Sequence, residues 1–246
     1  MKTVIIIGGT KGIGLELTKY YLSKNFNVSI GARTLPKSLK NKKNLIFTKG
    51  DFSKEKSHLN IIKNSLKKFK KVNVYINNVG LSDWRPIKKV DNQFLNKMLL
   101  TNFYSTVWGC KIASMYLKKG SSIVNISSIA GKRGSKNNSI YSASKFAVNG
   151  LTQSLSKEIG EKGIRINSVC PVLIKTPGLM KALKSKYSPA SNKIDTFLKF
   201  FINNNSAMNR LPTKLEVAKL CYFLSSDEAS GITGQNINID CGVFPQ

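Results

Sequence analysis

The chain has 246 residues, 41% of them hydrophobic and spread along its length, which suffices for the core of one α/β domain. No apolar run approaches the ~18 to 20 residues of a membrane span, so a spanning protein is excluded. Forty basic against twelve acidic residues give a formal charge of +28, but 35 of the cations are dispersed lysines and only five are arginines. That is unlike a reader of phosphates and bases, which leans on arginine's bidentate fork, so nucleic acid is not the expected partner. The charge is either a compositional bias on solvated faces or an attraction for anionic substrates, carriers or membrane surfaces.

The first segment, "MKTVIIIGGT", carries an apolar run too short for a signal-peptide core and is read as a buried strand. Six further β-rich runs follow: "NVSIGAR", "LIFTKGD", "VNVYINNVG", "SSIVNISS", "IRINSVCP" and "QNINID". Helical patterns lie between them, at Leu15 to Lys24, Lys54 to Phe69, Asp91 to Leu117, Ile140 to Ile159 and Lys214 to Leu224. The alternation predicts an α/β fold, a doubly wound parallel sheet of seven strands with helices on both faces, as a single domain over 1–246. Near-continuous apolar runs such as "VIII" agree, because parallel strands are buried on both sides. Lys175 to Pro212 is read as irregular; since it contains "FLKFFI", a lid over about 175–212 is expected there.

After the first strand, "GGTKGIG" sets Gly8, Gly12 and Gly14 around Thr10, Lys11 and Ile13, ahead of the amphipathic "LELTKYYL". Glycines there let the backbone turn sharply and approach a pyrophosphate at a helix N-terminus, so a dinucleotide is expected. In a doubly wound sheet an acid at the end of the second strand binds the ribose 2′-hydroxyl, and an arginine accepts a 2′-phosphate. Here "SIGARTLPK" puts Ala32 and Arg33 in that place, with Lys11 nearby, which favours NADP(H) over NAD(H); otherwise Arg33 is one more surface cation. Asp51, in "KGDFS", either accepts from the adenine amino group or caps the helix beginning near Lys54.

Cys110, Cys170, Cys221 and Cys241 are scattered, with one histidine, His58, so neither a zinc site nor a disulfide framework is suggested. A reducing cytoplasm fits that composition.

With "NNVG" at Asn77 to Gly80, "NISS" at Asn125 to Ser128 and "YSASK" at Tyr141 to Lys145, the sequence resembles the short-chain dehydrogenase/reductase family over nearly its whole length. Within the family it resembles members of the 3-oxoacyl-carrier-protein reductase type. The resemblance implies a Rossmann-type fold, with Tyr141 as acid/base, Lys145 as its partner, Ser128 orienting the carbonyl and Asn102 as fourth member. Ser128, not Ser127, lies thirteen residues before Tyr141, as in the family. The resemblance also implies that Asn78, Val79 and Gly80 line the cofactor, that Asp51 and Phe52 flank the adenine, and that Ile174 and Thr176 contact the nicotinamide carboxamide. Relatives pair through the helices after the fourth and fifth strands, implying a homo-oligomer, dimer or tetramer. The chain departs from the family pattern twice: Val172 follows Pro171 where relatives have glycine, and Cys241 precedes Gly242 where relatives have two glycines.

The chemistry requires such residues. Reduction of a ketone creates an alkoxide, so a proton donor must lie within hydrogen-bond reach of the oxygen. Four residues along a helix put Lys145 on the face of Tyr141, where a cation is expected to favour the phenolate. Trp84 with Arg85 is read either as lining the substrate mouth or as anchoring a surface loop. The resulting expectation is an NADP(H)-dependent oxidoreductase on a ketone or secondary alcohol, small or carrier-bound. The alternatives are a sugar or sugar-nucleotide dehydrogenase using NAD(H), and a non-catalytic nucleotide- or nucleic-acid-binding protein.

Overall fold

The computed structural model describes residues 1–245. Seven strands form one parallel sheet, β1 (Thr3–Ile7), β2 (Asn27–Ala32), β3 (Leu45–Lys49), β4 (Val74–Asn77), β5 (Ser122–Ile126), β6 (Arg165–Pro171) and β7 (Asn236–Ile239). Their order is β3-β2-β1-β4-β5-β6-β7, as expected of a doubly wound sheet. The helices are α1 (Gly12–Ser23), α2 (Glu55–Phe69), α3 (Asn92–Leu99), α4 (Ser105–Tyr116), α5 (Ser139–Ile159), α6 (Pro177–Leu183), α7 (Ile194–Asn205) and α8 (Lys214–Ser225).

The first strand shows why the apolar runs are continuous. Val4 and Ile6 pack with Leu17 and Tyr21 of α1 and with Val217 and Leu224 of α8, whereas Ile5 and Ile7 meet Ile61, Ile62, Ile112 and Leu155 on the opposite face. Each residue of the strand is therefore fully buried, and no polar alternation is tolerated. β1 pairs with β2 on one side and β4 on the other, so the crossovers diverge there and open a crevice at the carboxyl edge, where such sheets bind ligands.

Two segments differ from the expected elements. The single helix expected over Asp91 to Leu117 is interrupted: Asp91 caps α3 by accepting from the Phe94 N–H at 2.7 Å, then Leu100–Tyr104 wind as a π-turn before α4. The stretch from Lys175 to Pro212 is not irregular, because it contains α6 and α7. Thr176 caps α6 through Leu179 N–H at 3.1 Å, Pro177 takes the first helical position, and Trp84, Leu183 and Leu198 form a separate apolar cluster beneath both helices.

Candidate active site

The turn between β1 and α1 is built for close approach. Gly8 adopts φ 79°, a left-handed conformation that glycine takes without strain, and its N–H donates to Gly31 O at 2.7 Å. A Cβ on Gly14 would overlap the Gly8 carbonyl, so that position excludes every larger residue. Asn78 Nδ2 donates to the same carbonyl at 3.1 Å, tying the end of β4 to the turn. No side chain caps α1 at Lys11, which leaves the first-turn amides available to an anion. Thr10 is buried, Lys11 is exposed, and a Cβ on Gly12 would lie 3.3 Å from the Thr176 methyl across the crevice.

At the far end Arg33 is exposed beyond β2, and Asp51 is exposed beyond β3. Asp51 Oδ1 accepts from Ser53 N–H at 3.1 Å and Ser53 Oγ at 2.8 Å. The Ser53 N–H is the chief reason the carboxyl is held below its usual range, and the Arg33 charge adds to it. Asp51 does not cap α2, whose N-cap is Lys54 without a side-chain bond. Phe52, expected to flank the adenine, has its ring buried beneath Gly31, and its carbonyl accepts from His58 Nε2 at 2.9 Å.

The two serines after β5 have different surroundings. Ser127 Oγ is buried and donates to the Lys145 carbonyl at 3.2 Å. Ser128 Oγ accepts from Ala130 N–H at 3.1 Å and donates to the Pro171 carbonyl at 3.4 Å, and both Ser128 and Tyr141 line the cleft. One helical turn on, Lys145 is buried, with Nζ 5.9 Å from the centroid of the Tyr141 ring and donating to Ile126 O at 2.9 Å. Burial brings the Lys145 ammonium down to about 8. Burial also pushes the Tyr141 phenol up, and only the Ser128 hydrogen bond acts in the other direction. Lys145 is not among the influences on the phenol, whose chief one is desolvation.

Asn102 is fully buried in the π-turn, a feature often found at functional sites. Its carboxamide pairs with both main-chain groups of Leu81 and donates to Ser144 Oγ at 3.1 Å. A Cβ on Gly80 would lie 3.6 Å from Lys145 Nζ and 3.8 Å from Asn102 Oδ1, so both side chains face that glycine.

These groups border a cleft of about 1030 Å³. Of the residues singled out in the sequence, Ile13, Asn78, Gly80, Ser128, Tyr141, Lys145, Ile174 and Thr176 line it. Gly8, Thr10, Lys11, Gly12, Gly14, Arg33, Asp51, Phe52, Val79 and Asn102 do not; Val79 packs against the core beneath α4 and α5. Trp84 lines the cleft, whereas Arg85 anchors a loop, stacking on Phe94 at 4.1 Å and pairing with Asp91 at 2.9 Å. Sequence reasoning missed Arg133 and Asn138, which also line it; Asn138 carried no signal, and the scarcity of arginine was the signal for Arg133. A more open depression of about 490 Å³ on the outer face of α7 holds none of the motif residues. Val172 lines the cleft without positive φ, its N–H donating to Ile239 O at 3.3 Å, while Cys241 adopts the left-handed φ of 57°.

A family model described as short chain dehydrogenase matches residues 2–187. The 3-oxoacyl-[acyl-carrier-protein] reductase of Chlamydia trachomatis serovar D is 31% identical over 254 residues, covering 98% of this chain and 97% of the relative. The structure of ElxO with NADP bound is 32% identical with a TM-score of 0.85, covering 98% of each chain. The ligand-free aldohexose dehydrogenase of Thermoplasma acidophilum is 27% identical with a TM-score of 0.88, covering 98% of this chain and 93% of that one. Full-length likeness in sequence and fold, together with the cleft described above, means that the chain belongs to the short-chain dehydrogenase family of NAD(P)-dependent oxidoreductases acting on CH–OH and C=O groups.

Proposed function

We propose that the protein reduces a ketone, or oxidises the corresponding secondary alcohol, with NADP(H). One observation carries the reading: Ser128 and Tyr141 line one cleft, one turn from a buried Lys145, beside a glycine turn shaped for a nucleotide. The residues fit the cofactor. Gly8 and Gly14 leave a cradle that a Cβ would fill, the amides opening α1 would hold a pyrophosphate, and Arg33 with Lys11 would take a 2′-phosphate. ElxO, similar over the full chain, has been solved with NADP. Asn78, Gly80, Ile174 and Thr176, which line the cleft, would hold the nicotinamide end, and the exposed Asp51 would take the adenine end. When bound, the nicotinamide supplies the hydride.

The chain's own groups do the rest. Ser128 Oγ and Tyr141 Oη hold the carbonyl oxygen, and Tyr141 gives its proton as that oxygen gains charge. The phenol, kept protonated by burial, begins the reductive step in the correct state. Lys145 steadies the phenolate left behind, and Asn102 positions Leu81 and Gly80 against Lys145. The α6–α7 segment acts as the lid, a single domain carries the whole site, and the protein works in the cytoplasm as a homo-oligomer.

The test is a panel of ketones and secondary alcohols with NADPH/NADP⁺ and NADH/NAD⁺, read by absorbance. Turnover with NADPH that Tyr141→Phe abolishes supports the reading. No nicotinamide-dependent turnover, or full activity in Tyr141→Phe, would sink it.

A further inference from the structure

The chain holds only five arginines, and three have structural partners. Arg85 pairs with Asp91, Arg210 forks onto Glu216 at 2.7 and 3.0 Å, and Arg165 donates to the carbonyls of Leu224, Ser226 and Ile232. Among the described residues the guanidinium groups of Arg33 and Arg133 make no hydrogen bond or ion pair. Arg33 lies beyond β2, outside the cleft, whereas Arg133 stands in the cleft wall, between Ser128 and Tyr141 in the chain.

Arg133 is nevertheless held in place. Its guanidinium lies over the Phe244 ring at 5.1 Å. Phe244 is itself fixed: its N–H donates to Asp240 Oδ2 at 2.8 Å, Asn238 Nδ2 donates to its carbonyl at 2.7 Å, and Asp240 Oδ1 accepts from Gly242 N–H at 3.0 Å. A guanidinium stacked by its face keeps its in-plane N–H groups free to fork onto an oxyanion. The cleft adds Lys97, Lys136, Lys181 and Lys184 and a single acid, Asp83, whose Oδ1 already accepts from Trp84 N–H at 2.9 Å. Cations alone would follow from a charge of +28; an ordered arginine without an acidic partner does not.

We propose that the carbonyl substrate bears a carboxylate or phosphate and that Arg133, set on Phe244, recognises it at the cleft mouth. This rests on the reading of the cleft as a carbonyl site.

The experiment has two readouts. In the first, kcat/KM is measured with NADPH for oxo acids of increasing carbonyl-to-carboxylate spacing against their methyl esters, and for dihydroxyacetone phosphate against dihydroxyacetone. At least one charged member is expected to exceed its neutral partner, by about tenfold or more, with the advantage lost in Arg133→Gln and weakened in Phe244→Ala. The better of the two series tells carboxylate from phosphate. In the second, calorimetric binding of hexanoate against hexanamide and of inorganic phosphate is compared in wild type, Arg133→Gln and the remote surface control Lys67→Gln. Anion binding that only Arg133→Gln removes supports the proposal even without turnover, in which case the reductase reading falls and the anion site stands. Turnover with equal preference for charged and neutral partners, unchanged by Arg133→Gln, overturns the proposal and leaves the reductase reading intact. Neither turnover nor Arg133-dependent binding overturns both.

Discussion

Asn102 and Leu81 exchange two hydrogen bonds: the carboxamide Oδ1 accepts from the Leu81 N–H at 2.7 Å, and Nδ2 donates to the Leu81 carbonyl at 2.9 Å. A buried side chain thus completes the main chain of the loop after β4 as a neighbouring strand would. Asn102→Ala would strand both Leu81 groups, and we expect a loss of about 2 kcal/mol in urea unfolding. Since Gly80 lies between Asn102 and Lys145, kcat should fall by about tenfold or more with KM for NADPH nearly unchanged. Unaltered kcat in a folded Asn102→Ala protein would confine the residue to a structural role.

Neighbouring serines should separate cleanly. Ser128→Ala and Tyr141→Phe are expected to lower kcat by about 10²-fold or more while leaving the unfolding midpoint near wild type. Ser127→Ala removes a buried bond to the Lys145 carbonyl, so it should cost about 1 kcal/mol of stability and little activity. Urea titrations beside steady-state rates on the three variants decide the matter.

On the proposed reading, cofactor choice should depend on Arg33. Arg33→Asp places a carboxylate where a 2′-phosphate would sit and offers an acceptor to a ribose hydroxyl. The ratio of kcat/KM for NADPH over NADH should fall by about 10²-fold. A ratio that does not move would reduce Arg33 to a surface cation.

Acid stability should record His58. Nε2 faces the Phe52 carbonyl, so it carries the proton, and Tyr75 must donate to Nδ1 at 2.8 Å. Burial drives this imidazole down to about 4 from 6.5. Between those pH values the unfolded chain binds more protons, so stability drops as pH falls from about 6.5 to 4, by at most roughly 3 kcal/mol. Lys145 has the same sign at higher pH: its amine, lowered to about 8 from 10.5, penalises folding fully below 8 and is relieved as pH rises towards 10.5. Unfolding free energies of wild type and His58→Gln across pH 4 to 7 should diverge at the acid end.

Cys241 occupies a left-handed site, φ 57°, that costs an L-residue about 1 kcal/mol. Cys241→Gly should raise the thermal midpoint by a few degrees, unless the added freedom of the unfolded chain offsets the relief. A lowered midpoint would show that the thiol's packing outweighs the strain.

Most of the sheet was legible because parallel strands buried on both faces are mostly apolar, as "VIII" in β1 is. The glycine turn was legible because Gly8 and Gly14 admit no side chain. The orientation of Phe52 was not: nothing in "KGDFS" says that the ring lies under Gly31, a contact between residues twenty-one positions apart. The α6–α7 region was obscured by its lysines, serines and asparagines, and only "FLKFFI" betrayed a buried face, that of Leu198. The state of the phenol was hidden as well, since spacing reports that Lys145 is near and says nothing of how much water surrounds either group.

The π-turn at Leu100–Tyr104 has a further consequence for how this chain tolerates change. It accommodates one residue beyond an α-turn, so the residues before and after it follow different angular phases around one axis. Removing a single residue there would let α3 and α4 merge into a regular helix, an outcome that local backbone energetics favours. It would also swing Asn102 about 100° away from Leu81. Foldability and activity therefore make opposing demands on these five residues, and a shortened variant that is more helical yet inert would be the signature of that opposition.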